Sequence, residues 1–223
     1  MLDWFSKRKA GPLASGFPLV AAGQGGLLEG TLVASNLGWR PVEALAPGDR
    51  VLTFDHGMQP VLEVEREVLT LDGAALDPAR CPLFVPRDAL MNRNPLWLMP
   101  DQGVLLESEL AQDAMGDPFA VVPAAALEGY RGITRMHPGN SLTLAMPRFA
   151  RDQVIYLEAG TLGFSPAPRN LMCGRAVPEE GLYQVLPPEE ARGLVLSLID
   201  EEAQWAAGLP RNQFAEDTRP PLS

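Results

Sequence analysis

Two cysteines and two histidines are the side chains best suited to chemistry at neutral pH in this chain of 223 residues. A thiolate attacks carbonyls and binds soft metals, and imidazole moves protons near neutrality. Cys81 sits in Arg80-Cys81-Pro82, and Cys173 lies in a Pro-rich connector. His56 occupies an Asp55-His56-Gly57 turn, and His137 precedes Pro138 in a loop pattern. Their spacing matches no zinc cluster, and no Cys is near a His along the chain. Cys81 therefore reads as a small buried thiol, and Cys173 likewise. One disulfide is compatible with the count, but reduced thiols are the expectation. Glu63, Glu65 and Glu67 alternate along one segment, the pattern of a solvent face. A paired-carboxylate site would also want aromatic sugar platforms, and aromatics are 7% of the chain. Neither a cofactor nor a metal is expected.

The elements that must position such residues are short. Gly 21 and Pro 22 make turns frequent and long helices rare. Candidate strands are Thr31–Ser35, Trp39–Leu45, Val51–Phe54, Val61–Leu71, Leu83–Val85, Val104–Leu106, Phe119–Val122, Ser141–Met146 and Val154–Leu157. Pro47-Gly48-Asp49 is a turn, since Pro presets φ and Gly supplies a positive one. Short strands at this spacing predict an all-β domain closed on itself. Residues 1–25 read as a flexible leader, 26–165 as the β domain, and 166–223 as a Pro-rich connector with an acidic helical tail. Pro187-Pro188-Glu189-Glu190 starts a helix that runs to about Ala207, with acids favoured by the helix dipole. From Glu179 onward there are nine acids and three arginines, the composition of a solvated tail or of a helix that docks on a partner.

The net charge of −10 disfavours nucleic acid, because acidic chains repel phosphate backbones. No apolar run is long enough for a membrane span. Lys7-Arg8-Lys9 is followed by a stretch broken at Gly11, Pro12, Gly16 and Pro18, so no secretory signal is read. The expectation is a cytoplasmic or non-classically exported chain with a protein partner of unknown kind.

One stretch is more specific than composition. Gly26-Leu27-Leu28-Glu29-Gly30-Thr31-Leu32-Val33-Ala34-Ser35 runs into Gly38-Trp39-Arg40-Pro41-Val42-Glu43-Ala44-Leu45, then Pro47-Gly48-Asp49-Arg50-Val51-Leu52-Thr53. It resembles the opening of the bacterial Hedgehog/intein (Hint) domains: a Cys, a Gly-Thr pair, Pro-Val-Glu-x-Leu, and x-Gly-Asp-x-Val-Leu-Thr. Leu98-Met99-Pro100-Asp101-Gln102-Gly103-Val104-Leu105-Leu106 resembles the family's second block, Phe119–Leu127 the following strand and helical turn, and Phe149–Tyr156 a later block. The resemblance covers about residues 24–165. It implies an all-β, Hint-like horseshoe of two pseudo-symmetric halves, here with a C-terminal α-helical tail.

The resemblance also implies autoproteolysis. The family's first Cys converts the amide before it to a thioester, and a second-block His protonates the leaving amine. Here the Cys position is Gly26, four before Gly30, and the His position is Gln102, whose amide does not titrate. The later His position falls within one residue of Asp152, and no His-Asn pair occurs. These changes in separate blocks point to a degenerate active site: a domain that kept the fold, lost the reaction, and serves as a binding or structural module. The alternative is a self-processing domain with a non-Cys nucleophile, Thr31 first among the candidates. A third reading is a hydrolase cleft around Gln102 and Asp152. The apolar run around Leu90, Met91, Leu96, Trp97, Leu98 and Met99 reads as core filling, or as an apolar groove left by the lost site.

Overall fold

Alternation of apolar and polar residues, punctuated by glycine turns, builds fourteen strands among the described residues. The computed structural model describes residues 25–70, 78–111, 116–137, 139, 141–168 and 183–207. The strands are β1 Leu27–Leu28, β2 Leu32–Ser35, β3 Gly38–Pro41, β4 Arg50–Thr53, β5 Gly57–Pro60, β6 Glu63–Thr70 and β7 Leu83–Val85. They continue as β8 Leu96–Leu98, β9 Gly103–Glu107, β10 Phe119–Pro123, β11 Thr134–Arg135, β12 Ser141–Arg148, β13 Gln153–Leu157 and β14 Thr161–Ser165. The Pro47-Gly48-Asp49 turn has a local physical cause. Gly48 has φ +94°, which a side chain would resist, and the Asp49 carboxylate accepts from the Ala46 N–H at 2.9 Å.

Two antiparallel sheets result. One runs β11-β7-β8-β1-β12-β6, and the other β10-β9-β14-β13-β2-β4-β5, with β3 paired to β2. The sheets share their cores. Leu27 and Ala145 from the first pack with Val33, Val51, Ile155 and Leu157 from the second. Leu83, Val85, Leu96 and Leu98 from the first pack with Val104 and Val122 from the second. Glu63 and Glu65 of β6 are exposed, and Glu65 also receives the guanidinium of the buried Arg148 at 2.5 Å.

The helix α1 spans Pro188–Ala206, beginning with Pro and with Glu189 and Glu190 in its first turn. Solvent or a partner was the expectation for it. Its inner face instead closes its own domain: Ala191 and Val195 are fully buried against Leu83, Leu127 and Ile133. Polar ties fix the docking. Tyr130 Oη donates to Glu202 at 3.0 Å, and Arg131 Nε donates to the same carboxylate at 2.8 Å. Arg192 donates to the Ala126 carbonyl at 2.9 Å and to that of Glu128 at 2.6 Å. Desolvation pushes the Tyr130 phenol up to about 12, with Arg131 opposing and Glu202 adding. Ahead of the helix, Leu186 donates its N–H to the Val121 carbonyl, which covers part of the β10 edge.

The apolar run read as core or groove is core. Leu90, Leu96 and Leu98 belong to the cluster under α1, and Met99 belongs to a second cluster with Leu69, Leu142 and Leu144. Met91 is the exception, at 70% exposed.

Candidate functional site

β1 lies between two strands of the first sheet, with Leu27 opposite both Leu98 of β8 and Ala145 of β12. That pairing sets Gly25 and Gly26 at the mouth of the sheet. A cleft of about 240 Å³ opens beside them, lined by Glu65, Arg66 and Glu67 of β6 and by Leu144, Ala145 and Met146 of β12. A Cβ placed on Gly26 would lie 3.2 Å from Leu144 Cδ1. At Gly26 the cleft therefore holds backbone, packed close to a leucine.

Gln102 meets the same peptide from the other side. A Cβ placed on Gly25 would collide with Gln102 Oε1 and lie 2.7 Å from its Cα, so Gly25 runs directly against it. Gln102 is only 1% exposed. Its Nε2 donates to the carbonyls of Phe164 and Gly103, each at 2.9 Å, and its Oε1 has no partner among the described residues. The turn that delivers it is closed by Gln102 N–H to the Met99 carbonyl at 2.9 Å. The neighbouring Asp101 carboxyl is pushed up by burial, against a backbone hydrogen bond that lowers it.

Gly26 and Gln102 are thus brought to one place, and the other candidates are not. Asp152 accepts the Ala167 N–H at 2.8 Å and so holds the chain leaving β14. Neither it nor Gln102 lines either of the two cavities described, and no joint Gln102–Asp152 cleft is present in them. Thr31 is buried, its N–H given to the Leu28 carbonyl and its own carbonyl accepting from Val42. It follows the Gly30 turn and does not line the Gly26 cleft. Cys81 is buried with a free thiol, His137 is exposed, and His56 Nδ1 lies 3.1 Å from Gln153 Oε1. Cys173 and residues 1–24 fall outside the described residues. Among the described residues no group of three or more His, Cys, Asp or Glu could hold a metal, and no helix is long and apolar enough to cross a membrane.

The sequence reading missed the glycines that shape this place. A Cβ on Gly103 would meet Phe164 Cβ at 2.8 Å and Val121 Cγ1 at 2.9 Å. One on Gly163 would meet Leu157 Cδ1 at 2.6 Å. With Gly25, just ahead of β1, they let β9 and β14 close around one amide. Gly103 beside Gln102 was the available signal. Its meaning depends on which strands approach it.

The two-sheet antiparallel fold, with β1 entering between β8 and β12, agrees with a comparison against known families. A family model described as the Hint domain matches residues 26–161, and the chain belongs to that family. Among solved structures, the chain is similar to the solution structure of a bacterial intein-like domain from Clostridium thermocellum. The TM-score is 0.42 and the identity 11%, over 63% of this chain and 98% of that one. It is also similar to a GSH-linked, splice-inactive variant of the AceL NrdHF class 3 split intein. There the TM-score is 0.34 and the identity 14%, over 65% and 99% of the two chains. No curated protein matches the chain.

Proposed function

We propose that this Hint-domain chain does not cleave itself and serves instead as a binding or structural module. The observation that carries the reading is Gly26. The residue at the nucleophile's place has no side chain, and Leu144 Cδ1 lies 3.2 Å from where one would begin. Acyl transfer from the Gly25 carbonyl needs an attacking atom, and a backbone methylene supplies none. The general-acid place supports the same reading. Gln102 donates to two backbone carbonyls and carries no titrating proton near neutrality. Asp152 is held by a backbone N–H.

The test is the intact mass of freshly purified full-length protein, kept at neutral pH with and without a small thiol. One unchanged mass is expected in both samples. A fragment beginning at Gly26 would overturn the reading and transfer the role to another nucleophile, Thr31 being the first to substitute.

A further inference from the structure

The turn from β4 to β5 and the turn from β12 to β13 meet at a cavity of about 220 Å³ that Gly26 does not line. His56, Gln59, Arg151 and Gln153 supply its polar wall, Pro60 and Phe149 its apolar part, and no carboxylate lines it. Gln153 is 2% exposed, and its Oε1 is 3.1 Å from His56 Nδ1. Its Nε2 has no partner among the described residues. Turning the amide over exchanges its two ends and still leaves one unmet, and buried side-chain amides are seldom left so. Arg151 is exposed and makes no ion pair among the described residues. Gln59 Nε2 donates to the His56 carbonyl at 2.7 Å, which fixes the turn that carries the imidazole.

We infer that this cavity binds a carboxylate group, held by Arg151 beside His56, with the buried end of the Gln153 amide coming into contact as the wall adjusts. In a chain of net charge −10, the lining of this cavity carries donors and one permanent cation and no acid, which favours an anionic group there. Its volume is below that of cavities for drug-sized ligands, so it takes a small head group. Arg151 is the one permanent charge in the wall, which matches a carboxylate's single charge better than the higher charge of phosphate. Two sources present this chemistry: a free small carboxylate, and an acidic side chain of a peptide. The inference is independent of whether the chain cleaves itself.

The experiment titrates isotope-labelled full-length protein with sodium acetate at constant ionic strength, with chloride as control. It follows the Gln153 side-chain amide and the His56 ring nitrogens by NMR. A saturable shift of both is expected with acetate and not with chloride. Arg151→Gln, an exposed position that leaves packing intact, should weaken it about tenfold or more, while Arg87→Gln at a distant ion pair leaves it unchanged. Gln153→Met, read at His56, should weaken it similarly. A second arm uses an end-capped acidic peptide: tighter binding than acetate assigns the peptide source, and equal binding the free carboxylate. A shift that never saturates, or one unchanged by Arg151→Gln, would overturn the inference. So would saturation by inorganic phosphate but not by acetate.

Discussion

At residue scale, what this Hint domain can do turns on two adjacent backbone positions and one amide. Gly25, Gly26 and Gln102 share a place where the family resemblance expects a thiol and an imidazole. The missing side chains can be put back. Leu144 Cδ1, 3.2 Å from a Cβ at position 26, is the end of a flexible side chain and can yield by a few tenths of an ångström. We therefore expect Gly26→Cys with Gln102→His, incubated with a small thiol, to release residues 1–25. The rate should exceed that of Gly26→Cys alone by about 10²-fold, the lower range for general acid–base catalysis. Mass spectrometry of a time course reads it, and equal rates in the two variants would remove Gln102 from the general-acid place. Asp101 gives a second test. Its carboxyl is raised by burial, so the folded state holds the proton more tightly than the unfolded chain does. Stability from that proton is fully present below the unfolded value of 3.8 and is lost as pH rises through the folded value. Asp101→Asn should accordingly raise Tm at pH 7 and leave it nearly unchanged at pH 3, by thermal melts at both.

At element scale, the informative piece is α1. Its sequence announces a helix, with Pro188, Glu189 and Glu190 at the start and apolar residues at helical spacing. Spacing alone did not say which face is buried. Trp205, the largest apolar side chain of the helix, is 85% exposed, while the small Ala191 and Val195 are fully buried. Small residues at the contact bring the helix close to Leu127 and Tyr130, within reach of the Glu202 and Arg192 ties. Val195→Ala should cost about 2 kcal/mol, from lost burial plus the cavity left behind. That is a fall in Tm of about 4–8 °C for a chain of this size. Trp205→Ala should change stability by no more than about 0.5 kcal/mol. Denaturant titrations of the two variants check the contrast, and the reverse order would mean that α1 docks by another face.

At the scale of the whole molecule, the cores join the two sheets, and the helix seals one of those cores. Such an arrangement should unfold as one cooperative unit, with far-UV circular dichroism and tryptophan fluorescence giving coincident transitions in urea. Two separated transitions would show that the sheets are independently stable. Much of this architecture was legible in the chain. Leu83–Val85 lies where the apolar run put it, and the glycine turn at Gly48 and the start of α1 were read from local chemistry. Those features depend on near neighbours, where steric and hydrogen-bond rules act over a few residues. β1, β5, β11 and β14 escaped because two to five residues carry too little periodicity, and β8 because a strand buried between others reads as generic core. The site divides along the same line. Amino-acid type alone determined that Gly26 has no nucleophilic atom and Gln102 no titrating proton. Tertiary structure decided that these two meet while Asp152 stays elsewhere, and that Gln153, unremarked in the sequence, is buried beside His56 with one end of its amide unmet. The reason is physical: the chemistry of a side chain is a property of the residue, whereas burial and proximity are set by strands far apart in the chain.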